Sequence, residues 1–336
     1  MRIGIDAMGS DRAPVEEVKG ALAARELLRD DDRLVLVGQE SVLRQHLADA
    51  AGWQDFIEIR HTPHVISMNE SPVESLRAKP DSSLAVLTQM GADGEVDACI
   101  SAGNTGAFVA AATMRLRRLD GVHRPGIGIV VPTFHGPVVL CDVGANVDCR
   151  PQHLHQYGAM ASVYSSVICG LEKPRVGLLS VGEEDAKGNE LVKKARELLK
   201  SDSGINFIGN VEGRDLFRGV CDVMVCDGFV GNVVLKLMEG MADGVIKSLV
   251  GQMMAAMPAQ AAALKRNAGK IMATFDFNEY GGAPLLGVGG ICIICHGASN
   301  SRGIMNAVRV AKDFSKYHVN HRITELLSLG QRTAHD

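Results

Sequence analysis

No apolar run in the 336 residues reaches the 18 or so that a membrane-spanning helix needs, so no transmembrane segment is expected. Nor is there an excess of positive charge. Lys and Arg number 35 against 39 Asp and Glu, a formal net charge of −4, which argues against a nucleic-acid binder held by bulk charge. The 37 Gly follow no three-residue period, and this excludes a collagen-like fibre. A content of 46% hydrophobic and 22% charged residues excludes intrinsic disorder. The opening Met-Arg-Ile-Gly-Ile-Asp lacks the apolar stretch of a signal peptide and reads as a strand. The 8 Cys are scattered without the spacing of a disulfide framework or a zinc site. The one Cys-x-x-Cys, Cys292 to Cys295, reads as a buried strand whose sulfurs point to opposite faces. A reduced, cytoplasmic protein is expected.

Familiar catalytic signatures are missing too. There is no Gly-x-x-x-x-Gly-Lys-Ser/Thr, and no Gly-x-Gly-x-x-Gly follows the first strand. No Gly-x-Ser-x-Gly elbow supports covalent serine catalysis. What is present is alternation. Short Val/Ile/Leu runs, such as residues 2–6, 33–38, 97–101, 126–132, 138–142, 175–180 and 222–226, are separated by helical patterns such as 14–29, 83–91, 105–117, 153–170 and 231–251. Continuous apolar runs suit strands covered on both faces, so an α/β sandwich around a mostly parallel sheet is predicted. The short link between Val130–Phe134 and Val138–Cys141 predicts an antiparallel hairpin, which makes the sheet mixed. No internal repeat or linker divides residues 1–336, which read as a single α/β domain.

In such sheets ligands bind beyond the carboxyl ends of the strands. Gly-, Asn- and Asp-rich turns fall there: Asp6 to Asp11, Ser101 to Gly106, Asp142 to Asn146, Val181 to Gly188 and Asp227 to Asn232. The Ser101-Ala-Gly103-Asn104-Thr105-Gly106 turn opens a helix and is the best anion site by sequence, since glycines admit backbone N–H groups to a phosphate. Arg77 offers another anion contact, and Lys187 can neutralise phosphate or an oxyanion. His296 follows a buried strand, where functional side chains are delivered. His61/His64 and His318/His321 read as surface or capping residues, and Glu183-Glu184-Asp185 as a solvated helix start in preference to a metal site. A Met- and Ala-rich stretch near 251–270, with Met253, Met254, Met257 and Leu264 followed by Lys265 and Arg266, reads either as a helical hairpin packed in the core or a dimer, or as a tip that meets anionic lipid.

Seven of these segments together resemble one family. They are Ile5-Asp-Ala-Met-Gly9-Ser-Asp11, Ser101–Gly106, Asp142-Val-Gly-Ala-Asn146, Gly209–Asp215, Val225-Cys-Asp-Gly-Phe-Val-Gly-Asn232, Tyr280–Gly287 and His296-Gly-Ala-Ser-Asn300. In that order they look like phosphate acyltransferase, the PlsX family, from the first strand to about residue 312. Ser10 and Ser180-Val181 stand where the family commonly has Gly and Asn-Ile. The resemblance implies a three-layer α/β/α sandwich of about ten strands, like that of isocitrate and isopropylmalate dehydrogenases and phosphotransacetylases. It implies acyl transfer from acyl carrier protein to inorganic phosphate, giving acyl phosphate for bacterial phospholipid synthesis. It also implies a homodimer, peripheral at the inner face of the cell membrane, feeding a glycerol-3-phosphate acyltransferase there. No metal, nucleotide or other cofactor is implied.

Phosphate is already a nucleophile, so direct attack on the thioester needs only positioning and oxyanion stabilisation. Ser101, Gly103, Asn104, Thr105 and Gly106 are then expected to hold phosphate, with Lys187 and Asn232 on the oxyanion and Asp227, Asn146 and His296 orienting them. This requires the 101–106 and 227–232 turns to share one rim. An acidic carrier protein also needs a basic dock, for which Arg115, Arg117 and Arg118, or Lys193, Lys194 and Arg196, are candidates. The rival functions are a phosphotransacetylase-like enzyme using acyl-coenzyme A, an NAD-dependent oxidoreductase of the isocitrate dehydrogenase type, and an inactive membrane-linked scaffold.

Overall fold

A computed structural model describes residues 1–274 and 277–333. Its strands are β1 (Arg2–Asp6), β2 (Arg33–Gly38), β3 (Ile57–His61), β4 (Ala98–Ser101), β5 (Gly126–Val131), β6 (Val138–Cys141), β7 (Val176–Leu179), β8 (Phe207–Val211), β9 (Val223–Val225), β10 (Ala283–Leu286) and β11 (Ile291–Ile294). The helices are α1 (Val15–Ala23), α2 (Glu40–Leu47), α3 (Pro72–Ala78), α4 (Ser83–Ala92), α5 (Thr105–Arg115), α6 (Pro151–Cys169), α7 (Glu190–Ser201), α8 (Gly228–Ala256), α9 (Ala261–Thr274), α10 (Ser301–Lys316) and α11 (Val319–Thr333).

The strands form one sheet in the order β3-β2-β1-β4-β11-β10-β5-β6-β9-β7-β8. Alternate residues along each strand enter different cores, as a pleated strand requires. Val35 and Val37 of β2 join the core under α4 and α5, whereas Leu34 and Leu36 face α1 and α10. Val139 and Cys141 of β6 face α6, and Val138 and Leu140 the other layer. Cys292 and Cys295 likewise fall in different cores, as the strand reading predicts. All eight Cys are free thiols.

The predicted hairpin is present, with Val131 paired to Val138 in an antiparallel ladder. An eleventh strand, β10, is added to the ten expected. It is short, contains Pro284, and lies between Gly281, Gly282 and Gly287, all at positive φ, so its sequence reads as a turn. This strand has a large consequence. β10 pairs antiparallel with both β11 and β5, and β5 pairs antiparallel with β6. The β6–β9–β7–β8 half therefore runs opposite to β3–β2–β1–β4–β11, within which all pairs are parallel. Carboxyl ends of the two halves open on opposite rims.

Helix starts follow sequence chemistry. Asn104, Asn189, Asp227 and Asn300 each accept a backbone N–H from the first turn of the following helix. After Ala256 the chain turns at Met257–Gln260 and returns as α9, so the Met/Ala-rich tip is a helical hairpin. It is not packed in the core, because Gln252, Ala255, Ala256 and Met257 at its turn are exposed. No helix among the described residues is long and apolar enough to cross a membrane.

The start of α8 is pinned by a backbone approach. A Cβ on Gly231 would stand 1.9 Å from the Asp142 carbonyl oxygen, whereas one on Gly240 would meet nothing within 4 Å. Gly231→Ala is therefore expected to destabilise the fold by about 3 kcal/mol or more. Gly240→Ala should be neutral or stabilise it by roughly 0.5–1 kcal/mol, as for any exposed helical Gly. Paired urea denaturation curves read the difference.

Candidate active site

On the first rim, three turns meet. β1 ends in Asp6, which is 2% exposed and accepts the Ser101 hydroxyl at 2.9 Å. Ser101 Oγ in turn accepts the Gly103 N–H at 3.1 Å. The β1 and β4 turns touch backbone to backbone, for a Cβ on Gly9 would lie 2.7 Å from Gly103 Cα. Only glycine permits that contact. The third turn follows β11. Cys295 donates its N–H to the Ser101 carbonyl at 2.8 Å, and Gly297 accepts the Asp11 N–H at 2.9 Å. His296 thus sits exposed beside the Ala102–Gly103 backbone. Burial pushes the Asp6 carboxyl above its ordinary range, against the hydrogen bonds it accepts. Behind it lies Glu17 of α1, fully buried. Its Oε1 accepts the Ser10 N–H at 3.2 Å, and its Oε2 has no partner. Burial, with Asp6 nearby, raises this carboxyl to about 7.

Asn104 does more than cap α5. Its Oδ1 accepts the Ala107 N–H at 3.0 Å, and its Nδ2 reaches the carbonyls of Ser67, Met68 and Glu70 at 3.1, 3.3 and 3.0 Å. Both ends of the side chain are thereby spent on holding the 67–70 loop against the helix. Thr105 and Gly106 head α5, where first-turn N–H groups have no intrahelical acceptor. Pro72 of α3 fits against Gly106, and α3 also carries the exposed Arg77.

On the second rim, Asp142 organises the turn after β6. It is fully buried and accepts the N–H groups of Ile127, Gly144, Ala145 and Asn146 at 2.9, 3.2, 3.0 and 2.8 Å. Burial nonetheless pushes its carboxyl upward. Asn146 passes the order on. Its Nδ2 donates to Tyr157 Oη at 2.8 Å and its carbonyl accepts the Gly228 N–H at 2.8 Å. Asp227 then caps α8 through the Val230 N–H at 2.9 Å. Asn232, exposed in the first turns of α8, borders Gly144. Lys187 lies beyond β7, exposed, its stem against Gly182.

The expectation of a single shared rim is thus corrected. Ser101, Gly103, Asn104, Thr105, Gly106 and His296 stand on one rim, and Asn146, Lys187, Asp227 and Asn232 on the other, because β10, β5 and β6 reverse the sheet. The connection between rims is α8 itself. Lys236 stands nine residues past Asp227, about 13 Å at the helical rise. That matches the roughly 13 Å height of a four-residue strand. Lys236 Nζ accordingly reaches His296 Nε2 at 2.8 Å. Asn232 and Lys236, four residues apart, share one face of α8.

Sequence reasoning missed Glu17, the organising role of Asp142, and Lys236. Asp142 lies inside a quoted motif, but nothing in a linear string shows which N–H groups converge on it. Other expectations need revision. Arg115 is taken up by the Ala85 carbonyl and by Thr88 at 2.8 Å, and Arg196 is buried between Asp185 and Glu197, so neither is a docking residue. Arg117, Arg118, Lys193 and Lys194 are exposed. His61 accepts the Glu40 N–H that starts α2, His64 pairs with Asp81 and His321 with Glu325. Glu183, Glu212 and Asp215 come within 4.8 Å of one another, but Arg214 and Arg218 already pair with the last two. A cavity of about 490 Å³ lined by Ser162, Lys173, Asn206 and Arg322 opens at the amino ends of β7 and β8, away from both sets of turns.

Residues 1–322 match the family described as "Fatty acid synthesis protein". The chain is 49% identical over 317 residues to the phosphate acyltransferase of Pelotomaculum thermopropionicum, covering 93% of this chain and 91% of that one. It is 47% identical over 325 residues to the phosphate acyltransferase of Acidobacterium capsulatum, covering 96% and 95%. The chain belongs to the phosphate acyltransferase family. Its fold resembles that of EutD phosphotransacetylase from Staphylococcus aureus, with a TM-score of 0.57 at 13% identity over 93% of this chain and 94% of that one. A phosphotransacetylase from Streptococcus pyogenes gives the same TM-score at 15% identity, over 98% and 94%. At such identities the likeness speaks for the fold alone. A phosphate acyltransferase is an enzyme, which sets aside the reading of the chain as an inactive scaffold.

The buried Glu17 makes the stability of the chain depend on pH. Its folded value near 7 lies above the unfolded 4.5, so the folded state holds the proton more tightly. Its contribution is fully present below pH 4.5 and is lost as pH rises to 7. Glu17→Gln, which mimics the protonated form, should match wild type near pH 4.5 and exceed it by on the order of 3 kcal/mol above pH 7. Urea denaturation at both ends of that range measures the gap, and equal stability at pH 8 would refute the assignment.

Proposed function

We propose that the chain transfers a fatty acyl group from the thioester of acyl carrier protein to inorganic phosphate, releasing acyl phosphate for phospholipid synthesis. A phosphate oxygen forms the new C–O bond, the C–S bond breaks through a tetrahedral oxyanion, and the departing thiolate takes a proton from solvent. The observation that carries this reading is the open first turn of α5, delivered by β4 beside the Gly9–Gly103 contact and His296. An anion at such a helix start meets oriented N–H groups and the positive end of the helix. Thr105, Gly106 and the Ala102–Gly103 backbone are the phosphate contacts. Ser101 and Asn104 act by holding those contacts in place, since their own side chains are already bonded. Arg77 supplies charge from α3.

Asn232, one turn before Lys236 on α8, is the oxyanion donor in this reading, and Lys187, beyond β7 on the second rim, takes no part in it. Asp227 and Asn146 order the start of α8 that carries Asn232, and His296 faces it from the first rim. No nucleophilic side chain is required, because phosphate itself attacks. No metal or other cofactor enters the scheme. The carrier protein, strongly acidic, docks against the exposed Arg117, Arg118, Lys193 and Lys194.

Two features support further calls on assembly and location. Val230, Val233, Leu237, Met241, Val245 and Leu249 form an exposed apolar stripe along α8, which suits a homodimer. The hairpin tip, with Met253, Met254, Met257 and Leu264 followed by exposed Lys265 and Arg266, suits peripheral contact with the anionic inner face of the cell membrane. Acyl phosphate released there is at short range from a membrane glycerol-3-phosphate acyltransferase.

Acyl phosphate trapped as hydroxamate, with palmitoyl-acyl carrier protein and phosphate as substrates, tests the reaction. Asn232→Ala is expected to lower kcat by about 100-fold, roughly the 3 kcal/mol of a lost oxyanion donor, with melting unchanged. Turnover near wild type would remove this role. Faster turnover with acetyl-coenzyme A would favour the phosphotransacetylase reading instead.

A further inference from the structure

We infer that Lys236 and His296 form one anion-binding pair, which grips an oxygen of inorganic phosphate between α8 and the turn after β11. This deepens the phosphate-dependent reading above and rests on it. The inference starts from the proton on His296. Nδ1 accepts the Ala298 N–H at 3.0 Å. A ring nitrogen that accepts a hydrogen bond carries no proton, so the neutral imidazole holds its single N–H on Nε2. Nε2 faces Lys236 Nζ at 2.8 Å. An ammonium has three donors and no acceptor. On that tautomer two donor groups meet at hydrogen-bonding distance, and neither satisfies the other. One acceptor oxygen lying beside both would satisfy the two together.

Glu239 takes one of the three Lys236 donors, which leaves the ammonium two for that acceptor. Lys236 is anchored from behind by Glu239 at 3.1 Å, one turn further along α8, so its ammonium is held at the cleft. The Lys236 side chain is half exposed and His296 is exposed, which leaves both reachable. His296 is tied to the phosphate turn through Cys295 and Ser101, and through Gly297 and Asp11. Asn232 lies one turn before Lys236 on the same face of α8. The pair thus joins the turn after β11, which is tied to the phosphate turn, to the face of α8 that carries Asn232. In the sequence Lys236 is indistinguishable from any charged residue on a solvated helix face, and only the contact with His296 singles it out.

The test uses the full chain with uniform ¹⁵N label and inorganic phosphate as the probe. Side-chain ¹⁵N spectra should show His296 with its proton on Nε2, and phosphate should shift that nitrogen. In Lys236→Met the shift is expected to be lost, and the KM for phosphate to rise by about tenfold or more, as for a lost charge-assisted hydrogen bond. The KM for the acyl carrier substrate should stay within about twofold, and Lys236→Arg should recover part of the loss. Lys236→Met combined with His296→Gln should cost no more than the larger single change, because both hold one oxygen. Should Lys236→Met fail to fold, His296→Gln gives the same phosphate KM test. A phosphate KM within twofold of wild type in these variants, or an Nε2 signal that ignores phosphate, overturns the pair. If wild type shows no phosphate-dependent release of carrier, the functional reading fails. The ¹⁵N titration then judges the pair alone, for it if Nε2 responds and against it if not.

Discussion

Three antiparallel pairings, β11 with β10, β10 with β5 and β5 with β6, set the terms for everything else in this molecule. They join two parallel half-sheets head to tail. In each half the Gly-, Asn- and Asp-rich turns gather at the carboxyl ends, where ligands bind in open α/β sheets. The reversal sends those ends to opposite rims, so no single crevice collects them. A site using both must be assembled by something that runs the height of the sheet. The first turns of α8 do this. They begin at the Asp142–Asn146 turn and reach His296 about 13 Å later.

Buried carboxylates organise both rims in the same manner. Asp6 gathers Ser101 and the Met8 N–H, and Asp142 gathers four backbone N–H groups. A charge in such surroundings is costly unless donors converge on it, and here the donors are the very turns that must be kept in shape. Glu17 differs in having one oxygen without a partner, and burial raises its carboxyl, like those of Asp6 and Asp142, in its case to about 7. Glycine does complementary work at Gly9 and Gly231, where one backbone lies so close to another that a Cβ would collide. Rigid turns of this kind suit a reaction whose nucleophile arrives from solution, because positioning is then the main task of the protein.

Much of the architecture was legible from residue order. Apolar runs located ten of the strands, and the hairpin followed from the short link between Val131 and Val138. Asn104 and Asp227 declared themselves as helix starts by residue type. The tenth strand in chain order was not legible, because Pro284 and three flanking glycines mimic a turn, and with it went the direction of half the sheet. Arg115 and Arg196 looked like solvated charges, yet both are consumed by internal partners. Asn104 looked like a ligand contact, yet its amide is bound to three carbonyls of the 67–70 loop.

Local chemistry, carried by runs of two to eight residues, was decided by the sequence by itself: strand identity, helix caps, glycine turns and the family-bearing motifs. Such features depend on neighbours along the chain, and the chain displays them directly. Pairing was decided only by the tertiary structure. Whether two turns face each other, which N–H groups converge on Asp142, and that Lys236 meets His296 across 60 residues all depend on strand direction and register. Those are properties of contacts between distant segments, and no local pattern encodes their sign.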